Sequence, residues 1–216
     1  MALKAMLHDE LQAGSRDVLS QDGFLYSPGS HPVLLIAHMD TVHEEYSGMP
    51  TDIYIDKAGP DNPMEVLRSN YGVGGDDRAG IYIVMEITRQ LNCHILFCED
   101  EECGGVGAER FCASGISPKV QFIVEFDRRG RDDAVFYGCD NRTFVHFVES
   151  YGFTEAQGSF SDISLIAPHL GIAAVNLSTG FYNAHSETEY IRLDDIGSII
   201  DRAIPLIANV AKQYKY

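Results

Sequence analysis

The segment CEDEECGGVGA, residues 98–108, places four acidic residues in a row directly after the apolar run HILF. Two like charges about 4 Å apart repel by roughly 1 kcal/mol even in water, and by more where water is scarce. Four solvated side chains would relieve this repulsion, and so would a bound cation. A hydrolytic metal site needs one carboxylate that binds the metal and another that takes up a proton, and Glu101 and Glu102 could supply both. On this segment alone the two interpretations are equally good.

Residue types that bind metals occur at four other places in the chain. They are His38 and Asp40 in AHMDTV, Asp76 in GGDDRAG, Asp127 in VEFD, and His185 in NAHSETEY. Each has an ordinary structural interpretation when taken alone, such as a helix N-cap for an aspartate or an ion pair with a following arginine. His38 and Asp40 are two residues apart, so an extended strand puts both on one face, where the carboxylate can accept the second N–H of a metal-bound imidazole. Together the His, Asp and Glu side chains form a ligand set suited to zinc and related divalent ions.

The elements that must position these residues follow from the apolar pattern. Continuous apolar runs predict buried strands at 32–38, 94–98, 120–126 and 172–178, and two weaker strands, DIYIDK and MEVLRS, lie between 52 and 69. Helices are predicted at the N-terminus, from 78 to 91, from 105 to a stop at Gly115, and from Leu193 to about 215 with a kink near Pro205. This alternation predicts an α/β fold, a three-layer αβα sandwich with a mixed, largely parallel central sheet. Sites in such sheets lie outside the carboxyl ends of the strands, which is where the polar residues above fall.

Composition narrows the function classes. The chain has 32 Asp and Glu against 16 Lys and Arg, a formal charge of −16, which argues against nucleic acid or an anionic membrane surface as a partner. The five cysteines are odd in number and have no CxxC spacing, so neither a disulfide framework nor a thiolate zinc site is predicted. No apolar run is long enough to span a bilayer. We therefore expect one domain over residues 1–216 in a reducing, cytoplasmic compartment.

Taken in order, AHMDTV, GGDDRAG, EDEECGGVGA, VEFD and NAHSETEY resemble the motifs of the co-catalytic di-zinc exopeptidases. That family includes leucyl-type aminopeptidases, tripeptidase T, the carboxypeptidase G type and related deacylases. The resemblance spans about residues 33–200 and implies two bound divalent metal ions, Zn²⁺ first, with Co²⁺ or Mn²⁺ as alternatives. It also implies hydrolysis of a peptide bond by water activated between the two metals.

Roles for individual residues follow from this resemblance. His38 and Asp127 would bind one metal, Glu102 and His185 the other, and Asp76 would bridge both. Glu101 would be the general base and acid, and Asp40 the carboxylate that orients His38. A cis peptide bond between Asp76 and the next residue is frequent in the family. The segment SFSDISLIAPHLGI also resembles a family segment, without a firm role for its Ser161 and Asp162.

The substrate class is less well determined by the sequence. Many relatives carry an inserted lid or dimerisation domain, for which residues 38–76 and 127–162 leave no room, and this favours an aminopeptidase acting on short peptides or amino-acid amides. An N-acyl amino acid amidohydrolase or a carboxypeptidase is an alternative, because Arg128, Arg129 and Arg131 could bind a substrate carboxylate rather than neighbouring acids. A non-catalytic metal-binding homologue and a thiol enzyme based on Cys98 or Cys103 are further alternatives. Oligomeric state is open.

Overall fold

The computed structural model describes residues 2–43, 52–59, 62–210 and 212–216. In chain order its strands are β1 (Leu19–Gln21), β2 (Phe24–Ser27), β3 (His31–His38), β4 (Tyr54–Gly59), β5 (Asn62–Arg68), β6 (Cys93–Cys98), β7 (Phe122–Arg128), β8 (Asp133–Val135), β9 (Thr154–Ala156), β10 (Ala174–Ser178), β11 (Phe181–Tyr182) and β12 (Tyr190–Arg192). Its helices are α1 (Ala2–Ala13), α2 (Gly75–Thr88), α3 (Val106–Ala113), α4 (Arg142–Glu149), α5 (Ile163–Leu170) and α6 (Leu193–Ala208).

Eight strands form a central sheet in the order β1-β2-β6-β3-β7-β10-β8-β9. Its middle is parallel, because β3 pairs in parallel with β6 and β7, and β7 pairs in parallel with β10. Antiparallel pairs extend it on both sides, β2 on β6 and β8 on β10. The carboxyl ends of β3, β6 and β7 consequently open onto one edge of the sheet, as the sequence predicts.

Helices cover both faces of this sheet. The alternation of side chains along β3 sends Val33 and Leu35 into one buried cluster and Leu34 and Ile36 into the other. The first cluster packs under α1, α2, α4 and α6, and the second under α3 and α5. The three-layer αβα sandwich with a mixed sheet is therefore confirmed.

A second, antiparallel sheet has the order β11-β12-β5-β4. Its hairpin β4–β5 confirms the two weaker strands predicted between 52 and 69. Its other half, β11 and β12, flanks the loop that carries His185, and β12 pairs with β5. This small sheet thus fixes the position of the His185 loop beside the start of α2.

The C-terminal helix is shorter than predicted. It runs through Pro205 and ends at Ala208, because Asn209 leaves the helical conformation (φ −87°, ψ 74°), so the prediction of a helix to about 215 is wrong. Instead, the tail returns to the sheet: the N–H of Tyr214 donates to Gln121 O at 2.8 Å, and its carbonyl accepts from Ala173 N at 2.9 Å. The segment after Ala208 is therefore held by long-range hydrogen bonds and not by the hydrogen bonds of a continued helix.

None of the five cysteines, all of which lie in the described ranges, is part of a disulfide bond. Within the described ranges, no helix combines the length and the apolar character that a membrane span requires.

Candidate metal centre

The acidic run after β6 divides into two pairs of residues. Glu99 bonds to Lys4 Nζ at 2.7 Å and accepts the N–H of Gly23 at 3.2 Å, so it ties the run to the N-terminal helix and the β1–β2 turn. Asp100 is exposed. Glu101 and Glu102 are partly buried and line a cavity at the carboxyl edge of the central sheet. The two glutamates singled out from the sequence are therefore the two that enter the site.

Asp76 lies at the centre of this site. Its Oδ1 is 3.0 Å from His38 Nε2, and its Oδ2 is 3.2 Å from His185 Nε2. His38 Nε2 is also 3.3 Å from Asp127 Oδ1, and His185 Nε2 is 2.9 Å from Glu102 Oε1. The structure thus brings all five predicted ligands together as two groups that share one carboxylate, the arrangement expected of a bridging aspartate.

The local backbone turns Asp76 into the site. Gly74, which precedes α2, adopts a left-handed conformation (φ 65°) that costs other residues energy. Asp76 and Asp77 have non-helical dihedral angles and are joined by a cis peptide bond, as the family resemblance implies. Regular helix therefore starts at Arg78, the residue from which the sequence predicts it. The glycines before the DD pair are needed for this turn.

Asp77, the second residue of the pair, has a structural role. Its Oδ2 accepts the N–H of His38 at 3.1 Å, and its Oδ1 accepts the N–H of Gly80 at 3.0 Å, so it joins the start of α2 to the end of β3. One oxygen also lies within 4.8 Å of the ligand atoms of His38 and Asp127. Because both Asp77 oxygens already accept main-chain hydrogen bonds, Asp127 is the better metal ligand of the two.

Asp40 holds three groups in place. Its Oδ1 is 3.3 Å from His38 Nδ1, and its two oxygens accept the main-chain N–H groups of Glu101 and Glu102 at 3.1 Å each. Burial raises the pKa of Asp40, but His38 and the two N–H donors outweigh it and lower the pKa below its usual value. Asp40 is thus an ionised carboxylate that fixes the tautomer of His38, leaving Nε2 to face the site.

Glu101 is the site carboxylate left over when the ligands are assigned. Burial is the main cause that raises the pKa of Glu101 to about 8, and repulsion by Asp127, Asp162 and Glu102 raises it further. Among the described residues, no group donates a hydrogen bond to its carboxylate. A carboxylate that exchanges its proton near neutral pH and is not held by another residue is suited to general-base catalysis.

The donor set fits a divalent cation. Ligand atoms of His38, Asp76 and Glu102 all lie within 4.8 Å of one another. Glu102 Oε1 is buried and, in the described part of the chain, has no hydrogen-bond partner, although His185 Nε2 is only 2.9 Å away. Burial, followed by the charge of Asp76, raises the pKa of Glu102 to about 7. Glu102 Oε1 and His185 Nε2 thus lie close together without a hydrogen bond between them, beside the negative charge of Asp76. A bound cation would stabilise this arrangement.

Glu189 is a site residue that the sequence analysis missed. It is buried, and its carboxylate accepts the N–H groups of Gly74 at 2.6 Å and Asp76 at 3.1 Å, while His43 Nε2 lies 3.0 Å away. It therefore connects the loop of His185 to the turn of Asp76. Its only sequence signal is its position, four residues after His185 in a loop rich in acids.

A buried polar group supports Asp127 from behind. Asp127 N donates to Asn176 Oδ1 at 3.0 Å, and Ser161 Oγ lies 3.1 Å from Asp127 Oδ2 and also contacts Glu125. Burial raises the pKa of Glu125 well above its usual value, and the Ser161 hydroxyl lies between the carboxyl groups of Glu125 and Asp127, to either of which it can donate. The neighbouring Asp162 is fully buried, and burial raises its pKa to about 7. Ser161, which had no predicted role, thus orients a ligand.

A cavity of about 400 Å³ opens beside the five ligands. Asp76, Glu101, Glu102 and Asp127 lie along it, together with Arg128, Arg129 and the rings of Tyr137, Phe160 and Phe181. A pocket of this size, at the carboxyl ends of parallel strands, is suited to a small molecule or a short peptide.

Comparison with solved structures gives this geometry a context. The aminopeptidase PepT from Bacillus cereus superimposes with a TM-score of 0.69 at 16% identity, over 96% of this chain and 92% of the other. A Zn-dependent exopeptidase from Parabacteroides distasonis gives 0.67 at 17% identity, over 96% and 89%. The chain has the fold of the zinc exopeptidases. A glutaminyl cyclase from Porphyromonas gingivalis shares this fold too, with a TM-score of 0.63 at 16% identity, over 96% and 88%.

Comparison at the level of sequence adds no relative. No family model matches the chain, and no curated protein matches it either. At the identities found, the structural neighbours show the fold, and the reaction has to be argued from the residues of this chain.

Proposed function

We propose that this protein is a metal-dependent exopeptidase that uses two divalent cations, most simply Zn²⁺, and acts as an aminopeptidase on short peptides. The observation that carries the proposal is the sharing of Asp76 by two ligand groups, His38 with Asp127 and His185 with Glu102. A single structural metal would not require a second histidine and a second carboxylate on the far side of Asp76.

The residues divide the work as follows. Bound cations would polarise the scissile carbonyl and acidify the attacking water. Glu101 accepts the proton of that water and returns it to the leaving amine, a role for which a pKa near neutrality is suited. Asp40 keeps His38 in the tautomer that presents Nε2, and Glu189 keeps Asp76 in position.

The charge of the cavity supports an aminopeptidase. The cavity wall has a carboxylate beyond the proposed metal ligands, that of Glu101, which would attract a substrate ammonium group while bound cations neutralise Asp76, Glu102 and Asp127. Of the arginines that favour the amidohydrolase or carboxypeptidase alternative, Arg128 is paired with Asp133 and Arg131 with Asp132. A free amino terminus is therefore the group that we expect the cavity to recognise beside Glu101.

The thiol-enzyme alternative has little structural support. Cys98 is fully buried, and burial raises its pKa well above the usual value, so it is an uncharged core residue at neutral pH. Cys103 is exposed on the loop after Glu102, and its thiol is not among the groups that line the cavity. The non-catalytic alternative predicts the loss of a ligand or of the base, and each of these residues is present in the site.

The test combines metal content with substrate choice. Metal would be counted by inductively coupled plasma mass spectrometry in the wild type, in Asp76→Ala and in the matched control Asp201→Ala, whose aspartate lies exposed on α6. We expect about two ions per chain in the wild type and the control, and one or none in Asp76→Ala. Cleavage of leucine p-nitroanilide but not of its N-acetyl derivative would support the aminopeptidase.

Other outcomes point elsewhere. Metal together with cleavage of N-acyl amino acids alone would support the amidohydrolase alternative. Release of ammonia from an N-terminal glutaminyl peptide without release of an amino acid would indicate cyclisation, the reaction named for one structural neighbour. Absence of metal from the wild type, even after dialysis against zinc, would overturn the proposal.

A further inference from the structure

Three arginines follow Asp127, and their environments differ. Arg128 donates Nε and Nη2 to Asp133 Oδ2 at 3.2 and 3.1 Å, and Arg131 Nε lies 3.4 Å from Asp132 Oδ1. Arg129 has no acidic partner among the residues that the structure describes, and it lies along the cavity of the candidate metal centre. In a chain with twice as many acids as Lys and Arg, a guanidinium without an acid needs an explanation.

The main chain around Arg129 is firmly held. Its carbonyl accepts from Ser178 Oγ at 2.9 Å, and the next N–H, that of Gly130, donates to Phe181 O at 2.9 Å. Arg129 directly follows the last residue of β7, two residues after Asp127, and lines the same cavity as Asp127. The held backbone therefore places Arg129, an exposed residue, at the cavity wall and close in sequence to a proposed metal ligand.

The cavity consequently carries charged groups of both signs. Glu101 adds a carboxylate beside the proposed metal ligands Asp76, Glu102 and Asp127, and Arg129 adds a positive charge to the same cavity wall. A guanidinium presents five N–H donors in a planar fork, and its best-matched small partner is a carboxylate bound through two hydrogen bonds. A molecule with an ammonium group and a carboxylate would match the charges of Glu101 and Arg129 at once.

We propose that Arg129 binds a carboxylate of the substrate and so makes the enzyme selective for short peptides that carry one near the scissile bond. This inference rests on the proposed exopeptidase function. The carboxylate has two chemical sources, the C-terminus of a dipeptide or tripeptide and the side chain of an acidic residue. The cavity volume, about 400 Å³, lies in the lower part of the usual range of roughly 300–1,000 Å³ for small-molecule sites, which fits a short peptide.

The kinetic test compares Arg129→Gln with Arg131→Gln, a matched control whose arginine is paired with Asp132 and lies outside the cavity wall. The substrates are Leu-Gly, Leu-Gly-NH₂, Leu-Glu-NH₂ and Glu-Gly-NH₂, which place the carboxylate at the C-terminus, nowhere, on the second side chain and on the first. Loss of a charge-assisted hydrogen bond should raise KM for the favoured carboxylate substrate by about 10-fold or more. KM for Leu-Gly-NH₂ should not change, and the control should behave as the wild type on all four.

The pattern of loss identifies the source of the carboxylate. A defect on Leu-Gly alone assigns Arg129 to the C-terminus, and a defect on a glutamyl substrate alone assigns it to a side chain. Equal kinetics of Arg129→Gln and the wild type on all four substrates would overturn the inference.

A binding measurement separates this inference from the proposed function. Isothermal titration calorimetry would use a hydrolysis-resistant Leu-Gly analogue with a reduced peptide bond, both as the free acid and as the amide, and the corresponding analogues of the glutamyl substrates. Weaker binding of the carboxylate-bearing analogues to Arg129→Gln, with the amide unchanged, supports the inference even if the wild type cleaves nothing. Absence of cleavage would then count against the exopeptidase function only. Equal binding of every analogue by wild type and Arg129→Gln would overturn the role of Arg129 whatever the reaction.

Discussion

Replacing Glu101 by glutamine should abolish turnover and also stabilise the metal-stripped protein. Turnover is lost because an amide cannot accept the proton of the attacking water. Stability is gained because Glu101 is partly buried among Asp127, Asp162 and Glu102, whose charges and whose shielding from water raise its pKa from 4.5 to about 8. A group whose pKa is raised by folding destabilises the folded state wherever the unfolded chain would ionise it.

The size of the gain follows from that pKa. Between pH 4.5 and pH 8, Glu101 is ionised in the unfolded chain but stays protonated in the folded chain. The free energy by which Glu101 destabilises the folded state therefore grows with pH through this window and then levels off. At pH 7 the cost covers about 2.5 pH units, or about 3.4 kcal/mol at about 1.36 kcal/mol per unit. Glutamine still buries a polar amide, which leaves a net gain of about 2–3 kcal/mol. For a chain of this length that corresponds to a rise in Tm of roughly 4–12 °C.

The assay is thermal unfolding after chelation, at pH 5 and at pH 7.5, with kinetics on leucine p-nitroanilide after reloading with zinc. The control is Glu99→Gln, a neighbour in the same acidic run that pairs with Lys4, and which should lose stability slightly and keep its activity. The gain of Glu101→Gln should be small at pH 5 and large at pH 7.5. Metal content should match the wild type. No gain at pH 7.5 would refute the electrostatic reasoning, and normal turnover would refute the role of Glu101 as base.

Three further predictions concern other parts of the molecule. Glu189→Gln, which puts an amide NH₂ donor where a main-chain N–H needs an acceptor, should weaken zinc binding about 10–100-fold in a competition titration, and the exposed neighbour Glu187→Gln should not. The hydrogen bond with Asp76 raises the pKa of His185 to about 9 in the metal-stripped chain, and the pKa of His38 is raised as well, so zinc affinity, measured with a fluorescent indicator, should rise by about tenfold or more per pH unit between 7 and 9. In denaturant titrations, Gly80→Ala should cost about 1–3 kcal/mol because its methyl would collide with the main chain of β7, whereas Gly197→Ala, with open space around it, should add about 0.5–1 kcal/mol.

The central strands could be predicted because each is a continuous apolar run. β3, β6, β7 and β10 are buried on both faces, so their sequences are mainly apolar, with Glu125 in β7 and Asn176 in β10 as buried polar exceptions. The predicted end of β7 is two residues too early: the strand extends to Arg128, so Asp127 is part of the strand and does not follow it. Such shifts of two residues leave the side chain at the same edge of the sheet.

The elements missed by the sequence analysis are of two kinds. β1 and β9 have three residues each, none of them fully buried, and so carry no hydrophobic pattern to detect. α4 had a usable signal, because Asn141 caps it by accepting the N–H of Phe144, and its buried face is Phe144, Val145 and Val148.

The ligands were easier to recognise than the residues that hold them. His38 and Glu102 follow strands, in motifs whose order is informative. Glu189 and Ser161 act through hydrogen bonds to partners far away in sequence, 115 residues in the case of Glu189 and Gly74. A local sequence pattern does not reveal such long-range hydrogen bonds.

Three of the carboxylates near the site bind main-chain N–H groups of other ligand-bearing segments. Asp40 holds the loop of Glu102, Asp77 holds the end of β3, and Glu189 holds the turn of Asp76. Hydrogen bonds within the protein consequently set the ligand positions before any cation binds. Cation binding should therefore order few additional residues. Cation exchange should therefore be a reversible local event: a chelated sample should keep its far-ultraviolet circular dichroism spectrum and recover its full zinc content on dialysis, without a refolding step.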